Sequence, residues 1–232
     1  DWNTDELLCA EYLFEEASAF NGDISTWNVS GVSDFSYMFY KASSFNGDLS
    51  SWNTSSGANM DAMFRAASVF NGDISNWDVD SVTTMNQMFR AASLFNADIS
   101  DWDVGNVKNM SSMFQTASAF NQDLSGWATD SVTNMSSMFL SASAFTSDLS
   151  SWNVSKVTSM AYMFSSVSNF DCNLMNWDVS SVTGMFGIFD NTSLSKENYD
   201  STLIGWSALT LQSGVNFGAS GLTYCESALE RQ

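Results

Sequence analysis

Six aspartates recur at a fixed spacing along the chain and could together bind a cation. Each lies three residues after a recurring phenylalanine, at 25-residue intervals: Asp23, Asp48, Asp73, Asp98, Asp123 and Asp148, with Asn173 at the seventh position. Carboxylates stacked in this way repel one another unless each is satisfied locally. They could bind Ca²⁺, which takes oxygen ligands, or each could cap its own turn by accepting backbone N–H groups. We favour the turn cap, because no D-x-D-x-D loop is present and because Asn173 can accept the same bonds.

A second set of polar side chains flanks a recurring tryptophan. The residues before the tryptophan are Thr26, Ser51, Asn76, Asp101, Gly126, Ser151 and Asn176, and those after it are Asn28, Asn53, Asp78, Asp103, Ala128, Asn153 and Asp178. Repeated units present equivalent positions side by side on one open face. We therefore predict that a protein or glycan ligand binds at Asn53, Asn76, Asp78, Asp101, Asp103 and Asn153. The alternative is a solvated face held by hydrogen bonds between stacked Asn and Ser side chains.

The residues that most catalytic sites require are missing. The chain has no histidine, which removes the commonest general base and metal ligand. It contains neither a P-loop nor a G-x-G-x-x-G motif. We expect no enzyme activity, no cofactor and no metal site.

The composition argues against two further classes of partner, nucleic acids and membranes. The 232 residues include 26 acidic and 7 basic side chains, for a net charge of −19. Such a surface repels nucleic acids and anionic membranes. No apolar run is long enough to span a bilayer, so we expect no membrane insertion. The first residues, DWNTDELL, do not have the pattern of a signal peptide.

The spacing of these polar residues belongs to a repeat that includes the apolar residues. Phe recurs at 20, 45, 70, 95, 120, 145 and 170, and Trp recurs at 2, 27, 52, 77, 102, 127, 152 and 177. A fixed period of this length is typical of a solenoid, in which each coil buries its apolar side chains against its neighbours. We predict an α/β repeat solenoid similar to leucine-rich repeats, with one short parallel strand and one short helix in each 25-residue coil.

One copy shows how the coil is expected to fold. Residues 74–79 alternate between apolar and polar and predict a strand, with Trp77 and Val79 pointing inward. Residues 82–92 have apolar residues at steps of 3, 3, 1 and 3, which predicts a short helix with Thr83 as its N-cap.

The repeat divides the chain into three parts. Residues 1–19 form a partial N-terminal coil, 20–189 form seven repeats and 190–232 form a non-repeating C-terminal cap. The cap is expected to cover the last coil with an amphipathic helix that presents Tyr199, Leu203, Ile204, Trp206 and Leu209. The stretch VNFGASGLTYC after this helix predicts an edge strand and a turn.

The unit F-N-x-D-[IL]-S-x-W-[ND]-V-x-x-V-x-x-M-x-x-M-F-x-x-A-S resembles that of the BspA-type leucine-rich-repeat surface proteins, which occur in bacteria, mycoplasmas, algae and large viruses. The segment LSKENYDSTLIGWSALTLQSGV also resembles the closing segment of those proteins. The resemblance implies display outside the cell, adhesion to a protein or glycan, and no catalysis. It gives no mode of anchoring.

The three cysteines do not all pair. Cys172 lies in the last full coil and Cys225 in the cap, so we predict a disulfide between them, which would indicate an oxidising location. Cys9 is more than six coils away, about 30 Å at one strand spacing per coil, and is out of disulfide reach.

Six Asn-x-Ser/Thr sequons are candidate glycosylation sites in a secreted protein: Asn28, Asn53, Asn109, Asn134, Asn153 and Asn191. Chance occurrence in a chain rich in Asn and Ser is the alternative.

Two functions are suggested by these patterns together with the resemblance. The first is an extracellular or surface-displayed binding or adhesion module that recognises a protein or glycan through its polar, acidic strand face. The second is a structural subunit of an extracellular filament, coat or virion, in which copies of the chain assemble through solenoid contacts.

Overall fold

The 25-residue repeats stack in register in the computed structural model, which describes residues 2–223. Single-residue parallel bridges join equivalent positions of successive repeats, in the order Cys9, Asp34, Asn59, Thr84, Asn109, Asn134, Ser159 and Gly184. We call each stacked repeat a coil. Seven steps at a strand spacing of about 4.8 Å give a stack about 34 Å long.

A ladder of backbone hydrogen bonds holds the coils together. At each of the seven junctions, four alternate N–H groups donate to C=O groups 24 residues later, over 2.7–3.1 Å. At one junction, for example, the donors are Phe35, Tyr37, Phe39 and Lys41, and the acceptors are Asn59, Asp61, Met63 and Arg65. At least one further bond per junction runs the other way, as from Thr83 N–H to Ala58 C=O.

Successive β-turns form each ladder segment, where the sequence predicts a helix. Gln87 and Ala91 both have φ of 60°, and the N–H groups three residues after Met85, Gln87 and Phe89 donate back to their C=O groups. Positive φ at the third residue is the signature of a type II turn. It recurs in every coil, so that fifteen non-glycine residues between 2 and 223 have positive φ.

The predicted helix over 82–92 is therefore wrong, and so is its N-cap. The Thr83 hydroxyl donates to the Ala58 C=O of the preceding coil. The N–H groups of Met85 and Phe89 donate to the next coil, whereas a helix would use such groups internally. The apolar spacing misleads because successive turns also bring Met85, Met88 and Phe89 to the inner side, where all three are buried.

The predicted strand over 74–79 is also misplaced. Trp77 N–H donates to Ile74 C=O and closes a turn, and the pairing between coils lies ten residues later, at Thr84. The predicted alternation of side chains is nevertheless confirmed, because Trp77 and Val79 are buried and Asp78 is exposed.

Columns of aromatic rings fill the core. Phe64 stacks on Phe89 of the next coil with ring centroids 5.7 Å apart, and on Phe70 of its own coil at 3.9 Å. Each buried Trp of the repeats from Trp52 to Trp177 donates its indole N–H to the C=O 28 residues earlier, over 2.9–3.1 Å. Each coil therefore has its apolar groups covered and its indole N–H satisfied by neighbouring coils.

The predicted C-terminal helix is present as α1, Lys196–Ser207, the one α-helix among the described residues. The Ser195 side chain caps it by accepting the Asn198 N–H. Tyr199, Thr202 and Trp206 are buried. Ile204, which was expected to cover the last coil, is 50% exposed, because it lies on the outer side of α1.

After α1 the chain returns to the stack and adds a partial rung. Phe217 forms a parallel bridge with Met185, and the C=O groups of Gly218 and Ser220 accept from Phe189 and Asn191. Between this rung, α1 and the last coil lies an apolar cavity of about 420 Å³, lined by residues that include Val182, Met185, Leu203, Trp206 and Phe217. It lies where a further coil would place its own Val and Met side chains. Nowhere between residues 2 and 223 does a helix reach the length and apolarity needed to cross a membrane.

Candidate binding surface

All six predicted ligand-binding residues lie on the outside of the stack. Asn53, Asn76, Asp78, Asp101, Asp103 and Asn153 are exposed. The tryptophans between them, Trp52, Trp77, Trp102 and Trp152, are each 3% exposed. Because the coils are in register, these polar positions recur side by side on one side of the stack, which we call the acidic face.

In the acidic face, the side chains that follow the tryptophan accept hydrogen bonds from the backbone of their own coil. Asp78 Oδ1 accepts from Asp80 N–H at 3.1 Å, and Asp103 Oδ1 accepts from Gly105 N–H at 2.9 Å. Asn53 and Asn153 accept from the N–H groups two residues later in the same way. These Asx turns fix the direction of each side chain. The Asn153 side-chain N–H also donates to Asp130 Oδ1 at 2.5 Å, so this residue offers less to a partner than Asp78 or Asp103 does.

Charge concentrates in the middle coils. The carboxylates of Asp78 and Asp103 raise the pKa of the exposed Asp80, with Asp78 the larger cause. Three carboxylates are therefore close enough to repel, and within residues 2–223 none of them forms an ion pair with a basic side chain. This arrangement favours a partner that brings positive charge or hydrogen-bond donors. Asp80 was missing from the predicted site, although its position two residues after Asp78 is visible in the sequence.

The second aspartate column has the predicted turn-cap bonds. Asp73 Oδ1 accepts both the N–H and the hydroxyl of Ser75, at 3.0 and 2.7 Å, and Asp98 does the same with Ser100. These bonds lower the pKa of both carboxyls. Asn173 accepts the Met175 N–H, as predicted. Among residues 2–223, no three His, Cys, Asp or Glu side chains are grouped closely enough to hold a metal ion.

An asparagine ladder beside this column was not anticipated. The side-chain oxygen of each Asn in the Phe-Asn motif accepts the N–H of the next coil over 2.7–2.9 Å, through Asn21, Asn46, Asn71, Asn96 and Asn121. The recurrence of Asn at exactly 25-residue intervals could have predicted this ladder from the sequence. The ladder aligns the turns that the Asp column caps.

The six sequons fall into two groups. Asn28, Asn53, Asn153 and Asn191 are exposed. Asn109 and Asn134 are half-buried at the bridges between coils, where their side-chain oxygens accept the N–H groups of Ser111 and Ser136. A glycan attached to Nδ2 of either of these two would have to fit against the neighbouring coils, because both side chains are half-buried.

The cysteines lie at opposite ends of the stack. Cys9 is exposed. Cys172 is buried, and its thiol donates to Asp148 Oδ1 at 3.2 Å and accepts the Leu149 N–H at 3.4 Å. Burial raises the pKa of this thiol to about 12, which makes it a poor nucleophile at neutral pH. Cys225 lies outside the described residues, so its pairing with Cys172 stays a prediction.

Comparison with known proteins identifies a family for the chain but no function. No curated protein matches it. One family model matches it three times, over residues 1–100, 51–133 and 85–206. The overlapping matches follow the repeated coils and end within α1. The chain therefore belongs to the family described as "Mycoplasma protein of unknown function, DUF285".

Proposed function

We propose that the chain is a non-enzymatic solenoid of the BspA type that is displayed outside the cell and binds a protein or glycan through the acidic face. The observation that supports this most strongly is the register of that face. Asp78, Asp103 and their neighbours are exposed on coils whose backbones are fixed by at least five hydrogen bonds per junction. A rigid, repeated array loses little conformational entropy on binding.

The shape and charge of the face define the partner. It is long and shallow, so it suits an extended chain or a broad protein surface better than a small metabolite. Its carboxylates and side-chain amides accept and donate hydrogen bonds to hydroxyl, amide or basic groups. A glycan with free hydroxyls or a protein with a basic patch has this chemistry.

A printed array of glycans and extracellular proteins, probed with the purified chain, tests the proposal. For any ligand found, Asp78→Lys combined with Asp103→Lys should weaken binding at least about tenfold, since reversing charges at a contact removes attraction and adds repulsion. Glu11→Lys combined with Glu15→Lys is the matched control, because both residues are exposed and the change in net charge is the same. Equal loss in both variants, or in neither, would place the binding site elsewhere.

A second candidate function is a structural subunit, and the N-terminal end of the stack favours it. Trp2 is 73% exposed and Leu8 is 67% exposed, which is apolar surface that a neighbouring molecule or a preceding part of the same protein could cover. Electron microscopy of the purified chain at several concentrations would distinguish the two functions. Filaments or sheets support the structural role, and dispersed particles support the binding module.

A further inference from the structure

The ladder face differs in charge from the rest of the stack. We define it as the outer side of seven eight-residue segments: 35–42, 60–67, 85–92, 110–117, 135–142, 160–167 and 185–192. These segments carry three basic residues, Lys41, Arg65 and Arg90, against two acidic ones, Asp61 and Asp190. The four segments from 85 to 167 contain no acidic residue. Most of the acidic residues that give the chain its net charge of −19 therefore lie outside these segments. Three of them, Glu11, Glu15 and Glu16, lie at the N-terminal end of the same side.

The basic residues of this face are only partly neutralised within the chain. Lys41 pairs with Glu16 at 2.6 Å. Arg65 lies over the Tyr40 ring, 5.0 Å from its centroid, and Arg90 donates to Gln87 at 3.3 Å. Over residues 2–223 neither arginine forms an ion pair with a carboxylate. Although the chain has 26 acidic residues, these two half-buried arginines do not pair with any of the described carboxylates. They are therefore available to a partner.

Small and aromatic side chains make up most of the remaining surface. Ala66, Ala91 and Ser137 are half-buried and allow another surface to approach closely. Towards the C-terminal end, Tyr162 is 39% exposed and Phe186 is 51% exposed. The backbone N–H and C=O groups of these segments are used at the junctions between coils, so a partner would meet side chains.

We propose that two copies of the chain pack through their ladder faces around a two-fold axis. Two molecules of net charge −19 repel each other least when the face with fewest acidic residues lies between them and the acidic columns point away. An antiparallel arrangement with its axis at segment 110–117 is self-complementary. It places segment 60–67, with Arg65, opposite segment 160–167, with Tyr162, because both lie two coils from the axis.

This packing has a functional consequence. The acidic face of each copy is made by residues outside the ladder segments and would stay uncovered, so one particle would carry two copies of the same binding surface. Two copies on one particle can bind a repeated or surface-fixed ligand much more tightly than one. This consequence rests on the proposed binding function, whereas the association of two copies does not.

Sedimentation equilibrium of the full chain measures the association directly. The wild-type chain, of 25.4 kDa, is expected to reach twice this mass at micromolar concentration and to stop there. Raising the NaCl concentration should strengthen the association, because salt screens the repulsion between the acidic columns. A monomer at all concentrations, a mass that grows without limit, or weaker association in salt would each overturn the proposal.

A pair of matched variants locates the contact. Thr116→Glu combined with Ser141→Glu adds two charges to the ladder face, at turn positions where Glu16 shows that glutamate is accommodated. This variant should dissociate at least about tenfold more readily, since like charges are brought together. Gly126→Asp combined with Ala128→Asp adds the same charge on the acidic face, where other coils already have aspartate, and should associate as the wild type does. Circular dichroism checks that both variants are folded, and equal association of the two would contradict the assignment.

Discussion

The two ends of the stack differ in how far their tryptophans are buried. At the C-terminal end, Trp206 of α1 is 4% exposed and donates its indole N–H to Leu174 C=O at 3.0 Å. It thereby repeats, from a helix, the bond that each repeat tryptophan makes to an earlier coil. At the N-terminal end, Trp2 is 73% exposed and Trp27 is only partly buried. The comparison shows that the contacts of a coil can be supplied by a different secondary structure, provided that the same atoms arrive at the same places.

Removing the tryptophan at each end should give the largest difference. Trp206→Ala is expected to destabilise the chain by about 3–5 kcal/mol, as large-to-small changes of buried aromatic residues do, and to expose Phe189, on which Trp206 stacks at 5.9 Å. Trp2→Ala should change stability by less than about 0.5 kcal/mol, because its side chain is exposed. Chemical denaturation followed by circular dichroism measures both. Similar losses at the two ends would mean that the N-terminal end is covered in solution.

The docking of α1 depends on Gly205. A Cβ at this position would lie 2.1 Å from the Met175 C=O oxygen, so the helix can approach the last coil only where a side chain is absent. Gly205→Ala should cost about 1–3 kcal/mol despite the better helix propensity of alanine, because overpacking forces the backbone to shift.

Ile204→Ala is the matched control for Gly205→Ala, since it changes the neighbouring, half-exposed residue of α1. Its effect on the free energy of unfolding should stay within about 0.5 kcal/mol. A Gly205→Ala variant that is more stable than the wild type would show that α1 does not contact Met175 this closely.

Thr202 of α1 accepts a hydrogen bond from the last coil. In earlier coils the equivalent bond is accepted by a side chain of the next coil. The buried Thr202 hydroxyl accepts the Leu174 N–H at 3.1 Å, as Ser147 and Cys172 accept the N–H groups of Leu124 and Leu149. Thr202→Val keeps the shape but leaves that N–H unsatisfied, at an expected cost of about 1–3 kcal/mol. Thr202→Ser should retain more of the stability in thermal unfolding, and an equal loss in both variants would assign the effect to packing instead.

The smallest expected effect is a dependence of the cap on pH. Partial burial opposes ionisation of Asp171, but hydrogen bonds from Ser195 and Asn198 outweigh it and lower the pKa of this carboxyl. A carboxyl with a lowered pKa stabilises the folded chain above its unfolded pKa, about 3.9, and this contribution is lost as the pH falls through the folded value.

Hydrogen exchange of α1 at pH 5 and pH 3 measures this effect. Exchange protection of α1 should fall at pH 3 in the wild type and change less in Asp171→Asn, which no longer titrates. The melting temperature should move very little, because Asp171 is exposed and solvent screens its interactions. The same pH dependence in Asp171→Asn would assign the effect to other carboxyls.

The sequence predicted the positions of side chains better than the path of the backbone. The burial of Trp77 and the exposure of Asp78 follow from their alternation along the chain. The turns over 85–92 could not be predicted in this way, because positive φ at Gln87 and Ala91 is uncommon outside glycine and asparagine. Those conformations are stabilised by the ladder to the next coil, which involves residues 24 positions away. Local propensity carries no information about such contacts.

The candidate binding surface shows the same division. Repetition alone located Asn53, Asp78 and Asp103 on one outer side of the stack. The sequence could not show that Asp80 lies near enough to Asp78 and Asp103 to have its pKa raised. That proximity depends on how closely successive coils stack. The low charge of the ladder face was likewise hidden until the seven segments were brought onto one side.

The proposed function requires that the ligand binds at the acidic face. The most direct test compares the affinities of charge-reversal variants for the ligand identified from the array. Biolayer interferometry would compare the wild type, Asp78→Lys with Asp103→Lys, and Glu11→Lys with Glu15→Lys, all at one ionic strength. The account predicts that only the first double variant loses at least about tenfold in affinity, because only its changes lie on the acidic face. Unchanged affinity in that variant, with the fold intact by circular dichroism, would contradict it.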